Sequence, residues 1–475
     1  MASSTLFSSG DDIVGKKYSV LQINIDVDLA HYFEIDRCVE FINNNNFAST
    51  ALQFPDELMC YASYVSNAIE DRIHQKVFVL ADTSYGSCCV DEVSAAHMNA
   101  DSLIHFGHSC LSRSESLPVL YVFGKSDINP DDFLLKFTGI FPDTEEKVII
   151  FYDVQYYHAV NIVKDTLLTT FCNAILTELE PAKKSIESSV DEVEKKSESI
   201  LGRSYSLLTD LSHYKIVYIG SEGLTLHNLL ITFSKNQFYS YNPISKSMRR
   251  ETVNVNKMLM KRYFLIEKAK DAQIVGIVMG TLGVARYKEM VTRLKSVLTH
   301  AEKKFYTFVV GKINVAKLAN FMEIDIFVLI ACPENSLIDS KDFYKPIVTP
   351  FEMEIACLKT REWTGDYHAD FRLLLPGSSL HVHVKDDSIN NEEPEYSLIT
   401  GKLRKNLNLS KQSNTTDVAL RNQERQLTEQ CTSAVDYLAS RTWQGLEVRS
   451  GQTEVKQVEE GRAGIAMSYT HEPEQ

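Results

Sequence analysis

The chain has 475 residues, of which 44% are hydrophobic and 24% are charged. This composition is close to the average of globular proteins, which excludes a wholly disordered or collagen-like chain. The 63 acidic residues outnumber the 49 basic ones, and the resulting net charge of −14 argues against a general nucleic-acid-binding protein.

The sequence gives no sign of export or membrane insertion. Residues 1–12 contain neither a basic segment nor an apolar one, so no signal peptide is predicted. The longest apolar stretch, residues 272–285, is interrupted by Gln273, Thr281 and three glycines, and it is too short to span a bilayer. We therefore predict a cytoplasmic protein that binds no membrane and no nucleic acid.

The dominant pattern along the chain is a short apolar strand, then a loop, then a helix-like stretch, and this pattern restarts twice. Strands are predicted at residues 50–54, 76–80, 102–106 and 120–123, then at 147–152 and 215–219, and finally at 274–279, 305–310 and 324–330. Helices are predicted to begin at Pro55-Asp56, to cover residues 160–177 and to begin near Leu226. Strands that alternate with helices favour parallel sheets with helices on their faces.

We predict an α/β fold of three similar domains with mainly parallel sheets flanked by helices, arranged around a central metal-cluster cleft. The predicted domains are residues 1–140, 141–258 and 259–400, followed by a C-terminal arm and docking tail at 401–475. Within the second domain, residues 181–203 are rich in Ser, Glu and Lys and are predicted to form a charged linker. Trp443 in the otherwise polar tail indicates docking onto the body of the protein.

The cysteines suggest a metal site. Nine cysteines in 475 residues are sparse and odd in number, which does not fit a disulfide framework. Ligands of open α/β sheets bind beyond the carboxyl ends of strands. Four cysteines follow predicted strands: Cys88 and Cys89 after residues 76–80, Cys110 after 102–106, and Cys332 after 324–330. The other five, which we expect to be small hydrophobic core residues rather than metal ligands, are Cys38, Cys60, Cys172, Cys357 and Cys431.

Three sulfur positions, two from the first predicted domain and one from the third, could converge on one cleft. Three thiolates suit zinc or iron–sulfur chemistry, although a closed zinc site or an ordinary four-cysteine cluster needs one more. Because neighbouring side chains diverge, we expect only one of Cys88 and Cys89 to face the common point.

Other polar residues near these strand ends have alternative roles. His105 and His108 either act as ligands or a proton relay, or they shape the loop that contains them. Asp82 and Asp91 are candidates to cap helix or loop amides. The glycines of residues 280–283 could bring backbone amides near a carboxylate or phosphate.

Several sequence motifs point to one family. They are ALQFPD at residues 51–56, ADTSYGSCCVD at 81–91, HFGHSCL at 105–111, GTLG at 280–283, KLANF at 317–321 and ACP at 331–333. Together these motifs resemble the diphthamide synthase family. The segments SRTWQGL at 440–446 and GRAGIA at 461–466 resemble subunit 2 of that family. The resemblance covers most of the chain, apart from residues 181–203 and the polar segment 406–429.

The resemblance implies an activity, a cofactor and partners. The family transfers a 3-amino-3-carboxypropyl group from S-adenosylmethionine to a histidine of translation elongation factor 2, the first step of diphthamide biosynthesis, with a [4Fe–4S] cluster. The eukaryotic enzyme is a heterodimer of subunits 1 and 2, served by a small electron-donor protein and its reductase. By the same resemblance, the metal ligands here are Cys89, Cys110 and Cys332, with Cys88 as the alternative to Cys89. S-adenosylmethionine is expected at subunit 1.

One departure from the family pattern bears on function. Catalytic members supply a cysteine from the middle domain, whereas residues 203–222 contain none. We therefore predict a required accessory subunit, without catalytic residues of its own, that supports reduction of the catalytic cluster in subunit 1. The alternative is a non-redox scaffold subunit that binds subunit 1 and the protein substrate. A subunit that is catalytic by itself and a zinc protein are further rivals.

Overall fold

The computed structural model describes residues 29–81, 86–112, 117–179, 197–207, 209–338, 343–384 and 396–401, together with 464–465 and 468–469. The chain divides into two units, Met1–Asp417 and Val418–Gln475. In the second unit, the described residues are the strands Gly464–Ile465 and Ser468–Tyr469, which pair antiparallel. The elements described below belong to the first unit.

The first sheet consists of four parallel strands in the order β2-β1-β3-β4. Its strands are β1 (Thr50–Gln53), β2 (Val77–Leu80), β3 (Ser102–Phe106) and β4 (Val119–Val122), and its helices are α1 (Leu29–Tyr32), α2 (Ile35–Asn44), α3 (Ala62–Ile73) and α4 (Glu92–His97). Every residue of β1 and β3 is buried. This is expected for central parallel strands that are covered on both faces.

The middle region contains a second sheet and a small antiparallel one. Its strands are β5 (Val148–Tyr152), β6 (Ala174–Leu176), β7 (Glu178–Leu179), β8 (Ser197–Ile200), β9 (Arg203–Ser206), β10 (Lys215–Ile219), β11 (Phe238–Asn242) and β12 (Ser247–Arg250). Its helices are α5 (Pro130–Ile140), α6 (Val160–Leu168) and α7 (Leu224–Thr232). The second sheet has the order β12-β11-β10-β5-β6, in which only β12 is antiparallel, and the small sheet has the order β7-β9-β8.

The third sheet has four parallel strands in the order β14-β13-β15-β16. Its strands are β13 (Ile274–Met279), β14 (Lys304–Val309), β15 (Ile326–Ile330) and β16 (Ile347–Val348). Its helices are α8 (Val253–Asp271), α9 (Tyr287–His300), α10 (Val315–Ala319), α11 (Pro333–Ser336) and α12 (Pro350–Cys357). On α12, the buried Glu352 carboxylate pairs with Arg262 of α8 and caps the backbone N–H of Thr349.

The three sheets share one parallel strand order. In each, the first strand lies between the second and the third, and the fourth lies beyond the third; the second sheet follows this order with β6-β5-β10-β11. The predicted α/β class with mainly parallel sheets flanked by helices is thereby confirmed. The domain boundaries and the arrangement as three domains stay predictions.

Three predicted segments differ from the structure. The helix predicted to begin at Pro55-Asp56 begins at Ala62, after a 3₁₀ turn at Met59–Tyr61. The helix predicted over residues 160–177 ends at Leu168, because Phe171 turns into the core against Phe137 and β6 then pairs with β5. At the end of the predicted linker, β8 and β9 form a hairpin whose turn residues, Leu201 and Gly202, both have positive φ. Such φ values match the twist of a two-residue hairpin. Residues 181–196 of the linker lie outside the described residues.

Four of the five cysteines expected to be core residues lie in the described part of the chain. Cys38 is buried in α2 and Cys357 is half-buried at the end of α12. Cys60 and Cys172 are exposed, so the expected core position is wrong for these two. Cys431, the polar segment 406–429 and the predicted docking segment 440–446 lie outside the described residues. Within the described part of the chain, no helix combines the length and apolar character needed to cross a bilayer.

Candidate metal centre

Four cysteines lie together beyond the carboxyl ends of strands in the first and third sheets. Cys88 and Cys89 are in the loop after β2, Cys110 follows β3 and Cys332 follows β15. Their Sγ atoms all lie within 4.8 Å of one another, and all four residues are buried. The Sγ–Sγ distance is 3.8 Å both between Cys88 and Cys332 and between Cys89 and Cys110.

The structure brings together the three predicted ligands, Cys89, Cys110 and Cys332, and it adds Cys88. Both thiols of the adjacent pair face the group, although only one was expected to. Neighbouring side chains diverge in an extended strand, but this pair lies in a turn where the N–H of Cys89 donates to the carbonyl of Gly86 at 3.0 Å. The curved backbone directs both sulfurs to the same side.

Strand order accounts for two of the four positions. Cys110 follows the third strand of the first sheet, and Cys332 follows the equivalent strand of the third sheet. Ligand sites of such sheets lie where the strand order reverses, between the first and third strands. The equivalent strand of the second sheet, β10, is followed by Gly220 and Ser221. Among the described residues, the second sheet contributes no sulfur to the group.

The cysteine loop is held by side chains from two strands of the first sheet. The buried amide of Gln53 donates to the carbonyl of Cys89 at 2.8 Å and accepts from the N–H of Asp91 at 2.9 Å. The ring of His105 contacts the carbonyl of Ser87, with 3.1 Å from Nε2 to O. Burial lowers the pKa of His105 to about 4. His105 is therefore neutral at pH 7 and donates from Nε2, so it shapes the loop.

The predicted capping role is observed for Asp91. Its carboxylate accepts from the N–H of Ser94 at 3.0 Å at the start of α4, directly after the cysteine loop. Asp82, the other candidate, lies outside the described residues.

The predicted glycine segment at residues 280–283 lies against the cysteine loop. A Cβ atom on Gly283 would lie 2.2 Å from the carbonyl oxygen of Val90, so only glycine permits this approach. Residues 280–283 therefore pack against Val90, the residue after Cys89, and we assign them a packing role.

Glu334 links the loops of all three sheets beside the cysteines. Its buried carboxylate accepts from Thr225 of α7 at 2.6 Å and contacts Nε2 of His108 at 2.8 Å. On its other side, His108 lies 3.4 Å from the carboxylate of Asp153, which follows β5. Desolvation lowers the pKa of His108, but Glu334 and Asp153 outweigh it and hold that pKa well above its usual value. His108 is therefore a cation that joins two carboxylates.

Asn335, like Glu334, is a residue of the site that the sequence did not predict. Its Nδ2 lies 3.0 Å from the sulfur of Cys88 and 3.2 Å from that of Cys332. Glu334 and Asn335 belong to α11, which begins with Pro333 directly after Cys332. Proline at a first helical position, immediately beyond a buried strand, was the available signal.

The four thiols influence one another's protonation. Hydrogen bonds to Cys110 raise the pKa values of the Cys88, Cys89 and Cys332 thiols, whereas the same bonds lower the pKa of Cys110 well below its usual value. Cys110 is therefore the most acidic thiol of the group. A cation bound by all four sulfurs would release the thiol protons, since metals bind thiolates.

The donor set restricts the chemistry. Four cysteines are the ligands of structural zinc sites and of [4Fe–4S] clusters. A hard cation such as Mg²⁺ or Ca²⁺ requires oxygen ligands, and none belongs to the group. The candidate centre therefore fits a thiolate-bound metal or iron–sulfur cluster.

Comparison with known proteins identifies the family. Residues 54–368 match the family model of diphthamide synthesis proteins. The chain belongs to this family. It is similar to the 2-(3-amino-3-carboxypropyl)histidine synthase subunit 2 of Danio rerio, with 44% identity over 94% of this chain and 92% of the relative. The corresponding protein of Xenopus laevis is 44% identical, over 99% of this chain and 99% of the relative. That of Schizosaccharomyces pombe is 37% identical, over 95% of this chain and 92% of the relative.

These relatives place the chain in diphthamide biosynthesis, and the name subunit 2 implies a partner subunit. Among solved structures, the chain is similar to Dph2 from Pyrococcus horikoshii with a 4Fe-4S cluster, at a TM-score of 0.54 and 20% identity. This match covers 71% of the chain and 93% of that structure. At this identity the likeness supports the fold of the diphthamide synthesis family.

Proposed function

We propose that this chain is the iron–sulfur subunit of the complex that transfers a 3-amino-3-carboxypropyl group from S-adenosylmethionine to a histidine of translation elongation factor 2. The observation that carries the proposal is the buried group of four cysteines at the carboxyl ends of the strands. The names of the relatives support the synthase complex, and the solved Dph2 structure with its 4Fe-4S cluster supports the cofactor.

Within that complex, we propose an accessory redox role. Cys89, Cys110 and Cys332 would hold the [4Fe–4S] cluster, and Cys88 offers a fourth thiolate. Such a cluster accepts and donates single electrons. Because four thiolates leave no open iron for a substrate, this donor set favours electron supply to the catalytic cluster of the partner subunit. S-adenosylmethionine then binds at that partner.

One distance favours a second candidate, a structural zinc site. Zinc–sulfur bonds of about 2.3 Å place the corners of a tetrahedron about 3.8 Å apart. Two of the Sγ–Sγ distances in the group are 3.8 Å and match this value. A four-iron cluster is larger than one ion and requires the sulfurs to move apart. In the zinc case the chain would be the scaffold that holds the partner subunit and the protein substrate.

Anaerobic purification of the full chain, alone and co-expressed with subunit 1, separates these candidates. We expect a brown protein with about four irons and matching sulfide, and Cys332→Ala should lose both the iron and the colour. Cys172→Ser, which changes an exposed thiol, is the control that retains them. A colourless chain with one zinc would favour the scaffold, and a chain free of metal even in the heterodimer would overturn the iron–sulfur proposal.

The electron-supply role is tested in the heterodimer. We expect Cys332→Ala in this chain to slow modification of elongation factor 2 at least tenfold when the physiological electron-donor protein is limiting. With excess dithionite, which reduces the catalytic cluster directly, the rate should recover to within a few-fold. Equal rates for the wild-type and Cys332→Ala heterodimers with the limiting physiological donor would contradict the redox role.

A further inference from the structure

Asn335 contacts two of the four cysteine sulfurs through one nitrogen. Its Nδ2 lies 3.0 Å from Sγ of Cys88 and 3.2 Å from Sγ of Cys332. Thiolates accept hydrogen bonds and cannot donate them, so a metal-bound pair requires the NH₂ group of the amide to face the sulfurs. The two N–H groups diverge, so each can keep one sulfur as its acceptor when the two sulfurs move apart around a cluster. One residue thus serves a sulfur from the first sheet and a sulfur from the third.

The position of Asn335 is fixed by its neighbours on α11. Its own N–H donates to the carbonyl of Cys332 at 3.0 Å, and the residue is 7% exposed. The preceding residue, Glu334, is held by Thr225 and His108. These contacts hold the amide against the sulfurs.

We infer that Asn335 is a positioning residue that raises the reduction potential of the iron–sulfur cluster by donating N–H···S hydrogen bonds to Cys88 and Cys332. This inference rests on the proposed function, because it needs the cluster. Reduction adds negative charge, which spreads onto the sulfur ligands. N–H dipoles that point at those sulfurs stabilise the reduced state more than the oxidised state. Asn335 thereby makes this cluster easier to reduce by a cellular electron donor.

Redox titration of the anaerobically prepared full chain, followed by EPR, tests the inference. At the midpoint potential of the wild-type chain, we expect Asn335→Leu to decrease the ratio of reduced to oxidised cluster at least tenfold, a shift of about 59 mV for a one-electron couple. Asn335→Asp should decrease the ratio further, because its carboxylate adds negative charge beside the sulfurs. Asn335→Gln, which keeps the amide, should shift it least.

Ser336→Ala is the matched control. Ser336 is buried in the same turn but bonds to a backbone carbonyl instead of a sulfur, so its replacement removes one hydrogen bond of α11 and leaves both N–H···S bonds in place. Its cluster potential should match that of the wild type. An equal shift in Ser336→Ala, or unchanged potentials in Asn335→Leu and Asn335→Asp, would overturn the inference.

Two other outcomes are also decisive. If the wild-type chain holds no cluster, the proposed function fails before any variant is compared. If the wild type and Ser336→Ala load iron fully while Asn335→Leu and Asn335→Gln load none, Asn335 is needed for cluster assembly, and its role in tuning the potential is wrong.

Discussion

At the residue scale, the thiol of Cys88 determines how many sulfurs hold the cofactor. Its sulfur lies 3.8 Å from that of Cys332. We expect Cys88→Ser and Cys89→Ser each to lose most of the iron, because each removes one of four thiolates. Iron and sulfide analysis of anaerobically purified variants measures this. If Cys88→Ser keeps its full iron content while Cys89→Ser loses it, the cluster is held by three cysteines and Cys88 is not a ligand.

His105 gives the cysteine loop a dependence on pH. Its pKa is about 4 in the folded chain, because it is buried, and about 6.5 in the unfolded chain. Below about pH 6.5 His105 binds a proton in the unfolded chain, whereas in the folded chain it stays neutral down to about pH 4. The free energy of unfolding is therefore unaffected by His105 well above pH 6.5 and decreases progressively between about pH 6.5 and 4. At pH 5.5 the cost is about 1.4 kcal/mol.

Chemical unfolding at pH 7.5 and pH 5.5 checks this value. Both proteins should carry Cys332→Ala so that no cofactor contributes, and one should also carry His105→Gln, which keeps an N–H donor for Ser87. We expect the protein with His105 to lose about 1.4 kcal/mol more than the His105→Gln variant on acidification. Equal losses in the two proteins would show that His105 does not titrate in this way.

At the scale of elements, the segment after β13 and the cysteine loop depend on a close backbone contact. Gly283→Ala would place a Cβ atom 2.2 Å from the carbonyl of Val90, and one of the two backbones must then move. Overpacking of this kind costs about 1–3 kcal/mol. We expect a lower thermal midpoint and less bound iron. Gly139→Ala, in the last turn of α5, is the control, since nothing outside its own helix lies within 4 Å of the added Cβ and alanine has a higher helix propensity than glycine. The thermal midpoint of this variant should rise or stay unchanged.

The elements themselves differ in how well the sequence predicts them. Runs such as residues 102–106 and 147–152 are continuous and β-rich, so hydrophobic pattern alone locates β3 and β5. By contrast, β6 has three residues and β16 has two, which is too short for any periodicity. The hairpin of β8 and β9 is polar in sequence, yet Arg203 is fully buried and donates to the carbonyl of Tyr152. Only tertiary contacts account for that strand.

At the scale of the whole molecule, the site could be predicted where topology determines it. The cysteines follow strand ends, so the rule for parallel sheets places Cys110 and Cys332 at equivalent positions. That both Cys88 and Cys89 face the group depends on a local turn, which residue spacing does not encode. Glu334 and Asn335 were missed because their partners, such as Thr225 and Cys88, lie more than 100 positions away in the chain.

The cofactor should therefore stabilise the regions that contribute its ligands. Anything that binds the folded chain more tightly than the unfolded chain raises its stability, and here the ligands come from the first and third sheets. Anaerobic removal of iron should lower the thermal midpoint and speed amide hydrogen exchange in residues 86–91 and 331–336. Exchange in β10 should change little, because the second sheet supplies no sulfur within the described residues. Cys332→Ala should match the iron-depleted wild type. Faster exchange spread evenly over all three sheets, β10 included, would mean that the cofactor stabilises the unit as a whole, because its effect would then extend beyond the loops that supply its ligands.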